Sequence, residues 1–207
     1  MRENSRENIQ KFGEVFTPKW LIDEMLALVE HETLRVESTF LEPSCGDGRV
    51  LCAVLEKKLQ HCKKIYSKNN HHRTFFSFVA LSSIYGIDIQ IKNVEVTRKT
   101  LFALFLKSMN KHDQNWITPP AQHVISKNIM FADALIASRS GSKLLVSQWS
   151  PISTSHIQRQ DFYFHNLFMG QWSGNRHHDM GKNETTLIRP ADVTFKSRRI
   201  VDLTKDA

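Results

Sequence analysis

Hydrophobic positions in this chain recur at two spacings, and the changes between them mark its elements. From residue 12 the stretch FGEVFTPKWLIDEMLALVE places Leu21, Met25, Leu28 and Val29 three and four apart, one apolar stripe of a helix. Thr17 suits the cap of that helix and Pro18 its first position, with Asp23 and Glu24 toward the positive end of the dipole. FLEPSCGDGRVL, residues 40–51, changes rhythm: an apolar lead-in, two glycines around an acid, then Val50, Leu51, Val54, Leu55 and Leu59 at helical spacing. A strand, a tight turn and a helix are expected there.

Residues 75–89, FFSFVALSSIYGIDI, read as a helix or a buried segment that ends in a short strand from Ile84 to Asp88. A long helix follows, with Ile91, Val94, Leu101, Leu104 and Phe105 on its apolar side. WITPPAQ is expected to be a loop, because consecutive prolines remove backbone donors. A third strand is expected at about Asn128 to Phe131, ending at Asp133, and two further strands around a polar loop after Ser138. From Gly170 onward periodicity fades. Strand, helix, strand, helix, strand predicts an α/β fold around a parallel sheet. The domain organisation expected is a flexible arm over residues 1–11, one α/β domain over 12–170 and a polar C-terminal extension over 171–207.

Composition changes this picture little. Of 207 residues, 41% are hydrophobic and 24% charged, as in an ordinary globular protein. No apolar run approaches a bilayer span and MRENSRENIQ lacks the apolar core of a signal peptide, so a cytoplasmic protein without a membrane partner is expected. Cys45, Cys52 and Cys62 lack CxxC spacing and support neither a disulfide framework nor a metal site. A net charge of +7 favours a polyanionic partner. Residues 56–73 concentrate it, with six Lys or Arg against one Glu. That segment reads as a basic helix end running into a loop, either a solvated face or a phosphate-contacting one.

Parallel sheets bind ligands outside the carboxyl ends of their strands, and acids lie at each such end here: Glu42 with Asp47, then Asp88, then Asp133. Gly46 and Gly48 permit positive φ and a close backbone approach. The turn is not G-x-G-x-x-G and has no P-loop lysine, so an acidic pocket for a cationic, hydroxyl-bearing ligand is the better fit. An acid at a strand end also serves commonly as a helix cap.

FGEVFTP, FLEPSCGDGRVL, YGIDI and NIMFADAL, in this order, resemble the motifs of adenine-N6 DNA methyltransferases of bacterial restriction-modification systems, over about residues 12–135. The resemblance implies a three-layer Rossmann-like methyltransferase core that binds S-adenosylmethionine, followed by a C-terminal extension. It places Phe16, Thr17 and Pro18 at the methionine carboxylate, and Glu42, Pro43, Cys45, Gly46, Asp47 and Gly48 around the methionine moiety. Asp88 would accept from the ribose hydroxyls with Ile89 beside the adenine ring; Asp133 would accept from the adenine amine, with Phe131 or Ala134 nearby.

The family's catalytic Asn/Asp/Ser-Pro-Pro-aromatic tetrapeptide is missing. Pro119-Pro120 precedes Asp133 instead of following it, and is trailed by Ala121. Ser147, Trp149 and Pro151 are suitable residue types in the wrong arrangement, so no catalytic residue is assigned. Three readings follow: an enzyme completed by an atypical loop or a second restriction-modification chain, a non-catalytic cofactor- or DNA-binding module that modulates a partner, and a truncated remnant. DNA binding by the chain alone is expected to be weak and non-specific, through residues such as Lys57, Lys58, Lys63, Lys64 and Arg73.

Overall fold

The computed structural model describes residues 17–139, 141–167 and 192–206. Three short strands, β1 (Phe40–Glu42), β2 (Ile84–Asp88) and β3 (Ile129–Phe131), form a parallel sheet in the order β1-β2-β3. Phe40 aligns with Ile84, and Asp88 with Phe131, so all three carboxyl ends open on one side. α1 (Lys19–Leu28) and α2 (Glu30–Leu34) precede β1; α3 (Arg49–Ile65) and α4 (Asn70–Ser82) join β1 to β2; α5 (Ile91–Ser108) and α6 (Lys111–Asn128) join β2 to β3.

Helices cover both faces of the sheet. A side chain at Gly86 would strike Leu51 of α3, whereas the hydroxyl of Tyr85, pointing the other way, donates to the Ser147 carbonyl at 2.8 Å. α3 packs on α5, and α4 on α6. β2 lies between the pairs with all five residues buried, which explains its unbroken apolar reading. α7 (Ala134–Ala137) follows β3, and an antiparallel hairpin of β4 (Leu145–Pro151) and β5 (His156–Tyr163) packs on α4 and α6.

Beyond a 3₁₀ turn at Phe164–Leu167, residues 192–206 lie within the stretch read as a polar extension. They add β6 (Val193–Thr194) and β7 (Arg198–Arg199) to β5, then a 3₁₀ turn (Ile200–Asp206). Ile200 and Leu203 are buried there, and the turn packs on α6. The expected N-terminal arm and residues 171–191 of the expected extension lie outside the described residues.

Four local expectations are corrected. WITPPAQ is not a loop: Pro119 and Pro120 lie inside α6. That helix survives the lost donors because Asn110 caps it and Ile117, Pro120, Ala121, Val124 and Ile125 are buried on one face, so packing outweighs propensity. In α1 the buried positions are Ile22 and Leu26, while Met25 and Leu28 are 43% and 83% exposed. Pro18 is the N-cap there rather than the first helical residue, its carbonyl accepting from Leu21 and Ile22, and Thr17 makes no cap. In α5, Ile91 is half exposed, away from buried Val94, Leu101 and Phe105. The basic helix end does run into a loop, residues 66–69, and the last residues of the basic segment belong to α4, which begins at Asn70, capped by the Asn69 side chain.

Candidate functional site

The turn after β1 answers why two glycines flank an acid. Gly46 and Gly48 have φ of +52° and +82°, a backbone that disfavours other residues. Gly48 has a second reason: a Cβ there would lie 2.8 Å from the Thr97 side chain of α5. Around Gly46 the corresponding direction is open space. The turn is closed by Gly48 N–H donating to Cys45 O and by Thr97 Oγ1 donating to Gly46 O.

Asp88 ties this turn to the end of β2. Its Oδ2 accepts the Gly46 N–H at 2.8 Å; its Oδ1 accepts the Gln90 N–H at 2.8 Å and Asn93 Nδ2 at 3.3 Å. The carboxylate is 5% exposed. Those three donors leave room for about one more on a group with about four acceptor positions. Asn93 and Thr97, both from the first two turns of α5, are residues that sequence reasoning missed. A polar residue on a helix facing the sheet carries no signal until the helix is placed.

The remaining acids take separate roles. Glu42, half-buried at the end of β1, has its carboxyl raised above the usual range by burial, partly offset by the Ser44 N–H. Asp47 pairs with Arg49 at 2.9 Å near the surface. Asp133 is the N-cap of α7, its Oδ1 accepting from Leu135 and Ile136 N–H at 2.9 and 3.0 Å. Pro43 is exposed, and the Cys45 side chain is buried against Gly86. Burial, reinforced by the Asp88 charge, pushes that thiol up to about 12, which disfavours the thiolate. Cys52 and Cys62 are also free thiols, pushed by burial to about 11.

Around the acids the surface is apolar. Ile89 and Phe131, at the ends of neighbouring strands, are 50% and 57% exposed, and Leu135 and Ile136 are more exposed still on α7. Ala134 is half-buried, Pro18 exposed and Thr17 half-buried. Phe16 lies outside the described residues. Among the described residues no group of His, Cys, Asp and Glu is arranged to hold a metal, and no helix is long and apolar enough to cross a membrane.

Ser147 and Trp149 have structural partners. Ser147 O accepts from Tyr85, and Trp149 Nε1 donates to Asn128 Oδ1 at 2.8 Å, locking the hairpin to the sheet. Arg159 forms two hydrogen bonds to Asp161 and lies 5.7 Å from the Trp149 ring. One residue expected to touch phosphate is corrected: Lys58 is wholly buried, its Nζ donating to the carbonyls of Val36 and Ser38 and to Ser83 Oγ. Comparison of the chain with protein-family models, curated proteins and solved structures found no match.

Proposed function

We propose that the chain binds S-adenosylmethionine at the carboxyl ends of β1, β2 and β3, as a protein of the adenine-N6 DNA methyltransferase type, and does not transfer the methyl group unaided. The observation that carries this reading is the Gly46–Asp88 bond. It fixes a glycine turn with open space above Gly46 against a buried acid, beside exposed Ile89 and Phe131. An adenosyl group needs such a pairing of a hydroxyl acceptor with an apolar surface for its base.

On this reading Asp88 accepts from a ribose hydroxyl with its remaining lone pair, Ile89 and Phe131 flank the adenine, and the Gly46–Gly48 turn and Glu42 face the methionine part. Asp133 keeps Oδ1 on the α7 cap and offers Oδ2 to the adenine amine. Adenine's exocyclic nitrogen is a poor nucleophile whose lone pair must be localised by fixed acceptors, and the sequence has no Asn/Asp/Ser-Pro-Pro-aromatic loop to supply them.

Isothermal titration tests the binding step. Micromolar-range affinity is expected, weakened by about 1–3 kcal/mol in Asp88→Ala. No heat and no thermal shift at millimolar cofactor would refute it. Incubation with tritiated cofactor and mixed-sequence DNA should give no incorporation into adenine.

A second reading, that a partner chain completes or is modulated by this one, is favoured by the edge of the sheet. Among the described residues β1 pairs only with β2. Phe40 N–H donates to Ser83 O, so by the alternation of parallel pairing Leu41 directs its backbone groups to the other edge, where a further strand could join. Incorporation that appears only with a second protein from the same source would favour it. DNA contact by the chain alone, through its net positive charge, is expected to be salt-dependent and sequence-independent.

A further inference from the structure

At the opposite end of the sheet the last turns of α3 and α5 and the first turns of α4 enclose a cleft of about 360 Å³. Gln60 on its wall lies twelve residues along α3 from Gly48, roughly 18 Å at the helical rise, so the cleft is separate from the glycine turn. Three cations line it, one from each helix: Lys63, Arg73 and Lys107. Glu56 is the one acidic residue in the lining. Leu59, Leu104 and Met109 supply an apolar floor, with Leu59 and Met109 buried.

The two lysines alone would be unremarkable, since cations in a last helical turn face the negative end of the dipole. Arg73 breaks that pattern. It belongs to the first turn of α4, where the helix end is already positive and no acidic residue offsets it. Its guanidinium donates to Asn70 Oδ1. Asn70 in turn donates to Asp113, but that carboxylate is already filled by Thr74, Asn110 and Trp116. Among the described residues neither Lys63 nor Lys107 has an ion-pair or hydrogen-bond partner. Three cations against one carboxylate give the lining of the cleft a net positive charge, which suits an anionic ligand.

We propose that this cleft is a second binding site, for a phosphate monoester of mononucleotide size. The phosphate sits among Lys63, Arg73 and Lys107, matching a dianion whose oxygens accept both the guanidinium fork and ammonium donors. The flat apolar body of the ligand lies on Leu104 and Met109. The volume is at the small end of ligand pockets, which suits one nucleotide rather than a dinucleotide.

Titration of the full chain with adenosine 5′-monophosphate, inorganic phosphate and adenosine tests the site. The monophosphate should bind once per chain, at least fivefold tighter than inorganic phosphate and tenfold tighter than adenosine, and weaken as salt is raised. The doubly reversed variant Lys63→Glu/Lys107→Glu should lose at least tenfold in affinity with its melting temperature nearly unchanged, because both side chains are exposed. If that variant misfolds, Lys63→Gln/Lys107→Gln serves in its place. S-adenosylmethionine should not displace the monophosphate. Absence of binding at millimolar ligand, undiminished binding in the reversed variant, inorganic phosphate as good as the monophosphate, displacement by S-adenosylmethionine, or displacement by duplex DNA at equivalent phosphate would each overturn the proposal.

Discussion

The two ends of the parallel sheet handle charge in opposite ways. At the carboxyl end the acids are held by backbone amides: Asp88 by Gly46 and Gln90, Asp133 by Leu135 and Ile136. At the amino end cations prevail, with Lys58 sunk beneath β1 and Lys63, Arg73 and Lys107 open to the cleft. The direction of the elements produces this contrast. Each strand of the parallel sheet is followed by a helix, so the unpaired amides at the starts of α3, α5 and α7 gather at the carboxyl end, whereas at the cleft the carbonyls that end α3 and α5 meet the first turn of α4. Acids and cations settle where the backbone already favours them, and Arg73 is informative because it does not.

The sharpest way to break the contrast is at Lys58. It is wholly buried and donates to two carbonyls and a hydroxyl that precede β1 and β2. Lys58→Ala removes its stem from the core and leaves those acceptors unpaired, and should cost about 3 kcal/mol in urea unfolding. A loss below 1 kcal/mol would mean that the amino end does not depend on it.

At the other end the two glycines should differ. Gly48→Ala forces a side chain into both a positive φ and the Thr97 contact, and should destabilise by about 2 kcal/mol. Gly46→Ala carries only the backbone term, about 1 kcal/mol, because nothing occupies the space around it. Equal losses in chemical denaturation would show that the Thr97 contact relaxes at no cost. A double variant with Thr97→Ser should recover part of the Gly48 loss.

Titration should reveal the buried lysine as well. Burial pushes Lys58 down to about 7. Between pH 7 and 9 the unfolded chain holds a proton that the folded chain gives up, so stability should rise with pH by about 1–2 kcal/mol. Above about pH 9 the sense reverses. Cys45, Cys52 and Cys62 are pushed up to about 12, 11 and 11, so their thiols ionise first in the unfolded chain. Thermal melts at pH 7 and 9 check this, and in Lys58→Met the rise should vanish; a rise of equal size in that variant would assign it to another group.

The smallest effect concerns Asp133. As the cap of α7 it should cost about 1 kcal/mol on replacement by alanine, whereas Asp133→Asn and Asp133→Ser should retain most of that. If Asp133→Ser keeps stability but lowers cofactor affinity, the carboxylate has a ligand role beyond the cap. If both properties survive, the cap is its only task.

Much of the architecture was legible in the amino-acid order, because local patterns and the fold agree there. The spacing after Gly48 specified α3, the run IYGID specified a short strand, and β3 and the β4–β5 hairpin fell close to where they were expected. The clustering of Gly46, Asp88 and Asp133 at one end followed from parallel topology alone. What the sequence could not decide is which of two competing local tendencies wins once neighbours are present. Pro119 and Pro120 are helical because one face of α6 is buried, a gain absent from any local rule. Leu26 rather than Met25 faces the core because α3 lies on that side of α1. Lys58 reads as one more surface cation among six basic residues, and only the meeting of α3 with the starts of β1 and β2 supplies the acceptors that let it be buried. The cleft is tertiary in the same sense: Lys63, Arg73 and Lys107 come from three helices, and their shared surface exists only because two helices end where a third begins.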